Sequence, residues 1–370
     1  MITAVKAQGP SSPRRRFTRL TAALATAGAL VLSACAGSGA SGADSSADAG
    51  SGEQAELTKM VVVTFLPLES FTFTPEMYAF AGGYFEKHGL DVQLQPVQGT
   101  AAAIQTLLGG ATPITRASTV DVFPGMEQGQ PIVAVGTMAY KSNLRVVSAD
   151  SDAVESPQDM EGKVIGMGSI GGTSEKMLNL ALDAEDVPRD SVTRQAVPVT
   201  GATYELVKQG QLSGYIVSLD TSIALGQQNP DAVVSPAGLG DAPDMQAWIT
   251  TQSNLDDPER VEQIEAFLAA IKEATQAVID DAPNNFENVL ATLRESGDFA
   301  FAALDDDEVA TTALETYTSQ TWVDATGERE LLQNDFDGWT NAYDTYVDAG
   351  LLKGGHDPKD WITDDYLPAG

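Results

Sequence analysis

Beyond residue 58 the chain alternates between two hydrophobic spacings. Short continuous apolar runs, "KMVVVTF" (59–65) and "KVIGMG" (163–168), suit strands buried on both faces, as in parallel sheets. A stretch of helical period follows each. After the first, Thr74-Pro75-Glu76 offers an N-cap with Pro at the first helical position, and "EMYAFAGGYFEKHG" is expected as a helix closing on Gly89. After the second, "GGTSEKMLNLALDAE" sets Met177, Leu178, Ala181 and Leu182 on one face, with Thr173 or Ser174 as N-cap. Strands alternating with helices predict parallel layers joined by right-handed crossovers.

A duplication underlies the pattern. At an offset of 102, Val97-Gln98-Gly99-Thr100 falls on Val199-Thr200-Gly201-Ala202, Ile104 on Leu206, and Ile114-Thr115-Arg116 on Ile216-Val217-Ser218. Between the units, "PIVAVGTMAYKSNLRVVS" (131–148) predicts one strand leaving a first lobe and another entering a second, and "MQAWITTQSNL" (245–255) predicts a return strand. Two crossings imply a hinge. The expected fold is therefore α/β with two lobes, 58–142 plus 245–370 and 143–244, each a mostly parallel sheet flanked by helices, with a cleft between them. A helix starting at Asp257-Pro258, with Val261, Ile264, Leu268, Ile271 and Val278 at the 3.6 period, and further helices near 283–296, 306–319 and 328–349 are expected to pack on the first lobe.

The N-terminal 35 residues belong to neither lobe. Lys6, Arg14, Arg15, Arg16 and Arg19 precede an uncharged stretch, Leu20 to Leu32, that is too short to span a bilayer as a stable helix, which is the layout of an export signal. "LSAC" (32–35) resembles the bacterial lipoprotein box, which implies lipid on Cys35, removal of the preceding peptide and a membrane anchor. "RRRF" (14–17) fits the core of a twin-arginine signal, so either general or twin-arginine export is open. Residues 36–57, nearly all Gly, Ala, Ser and acid, read as a flexible tether.

Charge and composition exclude several classes. A formal charge of −31 opposes nucleic-acid binding, which relies on Lys and Arg neutralising phosphates. It suits a well-solvated surface, and a salty habitat is a second account. With one cysteine there is no disulfide framework, and the two histidines, His88 and His356, have no motif partners and read as surface residues, so no metal or cofactor is expected.

In open parallel sheets a ligand lies beyond the carboxyl ends of the strands, at helix N-termini. The candidate lining is thus the loop 66–73, with Phe71 and Phe73 either stacking on a ligand or joining the core; Thr100 and Thr203, as ligand contacts or simple caps; Ser118 and Thr119; Gly171-Gly172-Thr173-Ser174, where two glycines admit close backbone approach; and Ser218 with Asp220. Arg116 ends an apolar strand, so it either faces the cleft to take an anion or pairs internally, with Asp121 as the candidate acid. No catalytic constellation is visible. "GMGSIG" (166–171) satisfies the dinucleotide fingerprint, but the next strand, "SVTRQAVPV" (191–199), lacks the ribose-binding acid, so the match is read as coincidence.

Taken together, "GGYFEKHGLDVQLQPVQGTAAAIQTLLGG" (82–110), "GQPIVAVGTM" (129–138), "SPQDMEGKVIGMGSIGGTSEKML" (156–178) and "DDYLP" (364–368) make the chain resemble the substrate-binding lipoproteins of ABC importers. The resemblance is to the group serving nitrate, taurine, aliphatic sulfonates and thiamine pyrimidine precursors. It implies a type II periplasmic-binding-protein-like fold, an extracytoplasmic monomer without catalytic activity, and lobes that close on a small ligand for delivery to a permease and its ATPase. Arg116 departs from the family's usual small or apolar residue, which favours a sulfonate, taurine-like or carboxylate ligand. A pyrimidine held by Phe71, Phe73 and Asp220 stays open, as do a sensing role and, less favoured, a pyrimidine-synthesis enzyme on the same fold.

Overall fold

A computed structural model of the protein describes residues 56–369. The export signal, Cys35 and the tether as far as residue 55 lie outside the described residues. Ten strands form two five-stranded sheets. The first contains β1 (Thr58–Thr64), β2 (Leu90–Pro96), β3 (Thr115–Ser118), β4 (Ile132–Ala139) and β10 (Gln246–Thr251), in the order β2-β1-β3-β10-β4. The second contains β5 (Leu144–Ala149), β6 (Val164–Met167), β7 (Thr193–Ala196), β8 (Gly214–Ser218) and β9 (Ala232–Ser235), in the order β7-β6-β8-β5-β9. Each sheet has one antiparallel member, β10 against β3 and β4, and β5 against β8 and β9. Those two strands are the ones that have just crossed from the other sheet.

Helices α1 (Thr74–Ala81), α2 (Tyr84–Lys87), α3 (Thr100–Leu108) and α4 (Thr119–Glu127) connect strands of the first sheet, and α5 (Thr173–Ala184), α6 (Tyr204–Lys208) and α7 (Leu219–Gln228) those of the second. After β10 come α8 (Gln252–Leu255), α9 (Pro258–Asp280), α10 (Glu287–Ser296), α11 (Asp307–Thr316) and α12 (Phe336–Asp348). The helix expected from Glu76 to Gly89 is broken into α1 and α2, because Gly83 adopts a φ of 73° between them. Helix α9 follows its period: Asp257 accepts from the Glu259 amide at 3.1 Å, and Ile264, Leu268, Ile271 and Val278 are buried. Phe267 on the same face stacks on Phe85 and meets the edge of Trp248, which seats α9 over the first sheet.

Two of the later helices differ from expectation. The 328–349 helix starts only at Phe336, where Asp335 caps Gly338, because the preceding residues run beside β4 and the Leu332 carbonyl accepts from the Thr137 amide at 2.8 Å. Helix α11 packs on α7, which belongs to the second sheet, and it continues into a π-helical turn, Tyr317–Thr321. An apolar cluster also joins the two sheets elsewhere, running from Val120 and Phe123 of α4 and Trp339 of α12 to Met177 and Leu178 of α5.

The internal repeat slips by two residues between its halves. Gly99 and Gly201 both open the first helical turn of their copies, as the sequence alignment has it. Yet β3 ends at Ser118 and β8 at Ser218, each in extended backbone directly before a helix. Ser118, not Arg116, is the counterpart of Ser218, and Arg116 lies inside its strand. Gly166, the first glycine of the dinucleotide-like motif, likewise lies inside β6, where a Cβ would come within 2.8 Å of Val197 and 2.9 Å of Tyr215. It permits close packing rather than a phosphate-binding turn.

Candidate ligand site

The carboxyl end of β1 leads into a 3₁₀ turn, Phe71–Phe73, whose start is fixed by Ser70 accepting from the Thr72 amide. The Ser70 hydroxyl also donates to Asp220 Oδ1 at 2.9 Å. Asp220 sits in the first turn of α7, so this bond links the first sheet's loop to the second sheet's helix. Tyr317, from the π-helical turn, donates to the same oxygen at 3.4 Å and accepts from Asn143 Nδ2 at 3.0 Å, on the crossing between β4 and β5. π-turns of this kind are frequent at functional sites. Tyr317 is held flat against Trp322, with ring centroids 5.2 Å apart. The result is a polar cluster built from elements of both sheets, the crossing between β4 and β5, and the C-terminal segment.

Burial governs its electrostatics. Desolvation pushes the Asp220 carboxyl up, against the lowering effect of hydrogen bonds from Ser70, Ser218 and Tyr317. It pushes the Tyr317 phenol well above the usual tyrosine range, helped by the charge of Asp220. Arg145, half-buried on β5, has its guanidinium pushed down by desolvation, with the phenol of Tyr317 near enough to oppose that shift.

Arg116 does not face this cluster's solvent side. It is 1% exposed, its Nε lies 3.4 Å from Glu76 Oε1, and its Nη2 donates to the Thr72 carbonyl at 3.0 Å. The rings of Phe73, Phe65 and Trp248 surround it, with centroids 4.9, 5.4 and 5.9 Å from Cζ. The internal pair is real but its acid is Glu76, not Asp121, because Arg116 is placed two residues deeper in the strand than the repeat implied. The pair is imperfectly satisfied: Arg116 Nε and Nη1 and Glu76 Oε2 have no hydrogen-bond partner.

Phe71 and Phe73 are core residues, 0% and 1% exposed, so of the two roles open to them they take the core one and neither offers a ring for a ligand to stack on. The 3₁₀ turn folds both rings inward, Phe71 onto Phe301 and Phe73 beneath Arg116. Ser118 and Thr119 are buried too, and both hydroxyls donate to Asp244 Oδ1, which also accepts from the Val120 amide at 3.3 Å. Asp244 thus occupies the N-terminus of α4, the place sequence logic offers to a ligand. Burial pushes its carboxyl up to about 6.

Of the remaining sequence candidates, all but Thr203 and Asp220 are partly exposed. Thr100 is the first residue of α3, after Gly99 with φ 89°. Helix α5 is opened by Gly172, not by Thr173 or Ser174. Thr173 Oγ1 donates to Asp121 Oδ2 and Lys176 Nζ to Asp121 Oδ1, both at 2.6 Å, so Asp121 ties α4 to α5. Ser174 and Gly172 are half-buried beside them. Ser218 bonds Thr221 at 2.9 Å, and Thr203 is buried against the Pro198 carbonyl. The structure therefore gathers Asp220 and Ser218 at the cluster, and places Thr173 and Ser174 on a separate seam.

Ser70 and Thr72 lie in the expected loop 66–73, whereas Asn143, Arg145, Asp244 and Tyr317 were missed. Arg145 carried a visible signal, an arginine entering an apolar strand in "NLRVVS". Tyr317 and Asp244 carried none. Among the described residues no group of three or more His, Cys, Asp or Glu is placed to hold a metal. An open groove of about 860 Å³ has none of the cluster's residues in its lining, which includes Met60, Leu68, Phe80, Leu94 and Phe299 at the β1–β2 edge.

A family model described as NMT1/THI5 like matches residues 70–284. The chain belongs to that family. It is 21% identical over 266 residues to a formylaminopyrimidine-binding protein of Halalkalibacterium halodurans, covering 72% of this chain and 79% of that one. Its fold is that of the periplasmic aliphatic sulphonate binding protein SsuA of Escherichia coli, with a TM-score of 0.58 at 14% identity over 82% of this chain and 97% of that one. The desulfurization enzyme DSZB shares it as well, with a TM-score of 0.53 at 11% identity over 83% and 97%.

Proposed function

We propose that the protein is the extracytoplasmic substrate-binding component of an ABC importer, capturing a small polar or anionic organic solute such as a sulfonate, a taurine-like compound or a carboxylate. The observation that carries this is the polar cluster of half-buried Ser70 and Asn143 with buried Asp220 and Tyr317, contributed from elements of both sheets and hydrogen-bonded across them. A site assembled from two bodies favours the closed arrangement only when both touch the same ligand, which is how binding becomes closure. The moving bodies are taken as residues 58–142 with 245–370, and 143–244. Lipid on Cys35 would hold the monomer at the outer face of the membrane, for delivery to a permease and its ATPase.

A second ligand class is favoured by the curated relative that binds formylaminopyrimidine. Here Asp220 would accept from a ring amino group. The fold itself does not separate binding from catalysis, since DSZB carries it. The test is thermal shift of purified protein lacking residues 1–35 against sulfonates, taurine, carboxylates, nitrate and thiamine pyrimidines. One compound should raise the melting midpoint by several degrees without being consumed. Turnover of any compound in the panel would replace the binding function with an enzymatic one.

A further inference from the structure

We infer that Arg145 is the anchor for an acidic group on the bound solute, and that it selects acids over neutral compounds. This rests on the binding function proposed above. Among the described residues Arg116, Arg189, Arg194, Arg294 and Arg329 each form an ion pair with a carboxylate. Arg260 sits in the first turn of α9 and bonds the Gln263 side chain. Arg145 forms no ion pair, and the bond its guanidinium makes is to the adjacent Leu144 carbonyl, at 2.8 Å.

Its position is what gives the missing acid a meaning. Arg145 pairs with Val217 across β5 and β8, one residue from the end of β8 and next to the turn that starts α7. Arg145 follows Asn143 by two residues, and Asn143 donates to Tyr317, which in turn bonds Asp220. A half-buried cation without an acid bears a desolvation cost that an incoming carboxylate or sulfonate offsets. The guanidinium fork matches the paired oxygens of either group. Arg116, the arginine that sequence alone nominates, has its acid already and is 1% exposed.

Titration calorimetry on wild type, Arg145→Lys and Arg145→Gln tests this with a fixed set of probes: ethanesulfonate, 2-aminoethanesulfonate, propionate and a neutral 4-aminopyrimidine. Wild type should bind at least one acid, Arg145→Gln should weaken it by about 10- to 100-fold, and Arg145→Lys should recover part of the loss by keeping the charge. A merely structural role would weaken acids and the neutral pyrimidine alike, so the ratio between them is decisive. Acid affinity unchanged in Arg145→Gln would overturn the inference. So would tight binding of the pyrimidine alone, unaffected by either variant, and that result would leave the binding function standing. If wild type bound none of the four, both would fall. Should Arg145→Gln not fold, Arg145→Lys still discriminates, since an anchor loses acid affinity and a bystander does not.

Discussion

Arg116 and Arg145 sit on strands of the two sheets, and both interrupt apolar runs, yet they have opposite surroundings. Arg116 is sealed among three aromatic rings with Glu76, and its Nη2 holds the turn that carries Ser70. Arg145 sits just past a crossing between sheets, two residues from the Asn143 that bonds Tyr317, with no acid of its own. The difference teaches that a charge in an apolar run signals function only when the fold leaves it unpaired. The acids show the same division: Asp244 is spent on the N-terminus of α4, whereas Asp220 is shared between the two sheets.

The largest effect should come from Arg116→Ala, which strands a buried carboxylate and is expected to cost about 3–5 kcal/mol in urea unfolding. Replacing the pair together, Arg116→Met with Glu76→Leu, should return stability to within about 1 kcal/mol of wild type, because two desolvated charges vanish at once. If the double variant were as unstable as the single one, Arg116 would have a role beyond its pair.

Asp244 gives the next largest effect. Burial raises its folded carboxyl to about 6 from the ordinary aspartate value of 3.8, so the folded state binds this proton more tightly than the unfolded chain. Stability from this group is therefore greatest at low pH, declines between about pH 4 and pH 6, and stays lower above. The interval corresponds to roughly 3 kcal/mol. Asp244→Asn should remove that slope, measured as the difference in unfolding free energy between variant and wild type from pH 4 to 7.

Smaller effects test the seams. Asp121→Asn breaks the bond to Lys176 at a partly exposed position and should cost about 1 kcal/mol or less, falling with added salt. Arg145→Gln should change the stability of the ligand-free protein by no more than about 0.5 kcal/mol. A large loss there would erase the contrast between the two arginines.

Much of the fold was legible. The continuous apolar runs marked β1, β4 and β6, Asp257-Pro258 marked the start of α9, and the duplication marked two similar halves. The site was legible only in part. Asp220 and Ser218 follow from the rule that ligands gather at strand ends, but Tyr317 comes from a π-turn 97 residues beyond its partner Asp220, and nothing local announces it. Phe71 and Phe73 stayed open between ligand and core because a short 3₁₀ turn has no periodicity to reveal which way its rings face.

The sequence by itself determined the α/β class and the paired halves, because period and glycine placement are properties of the chain read in order. Only the tertiary structure decided which charges are paired. Pairing depends on what other segments bring within a few ångströms, and a two-residue slip in a repeat was enough to move Arg116 from the expected strand end to the interior.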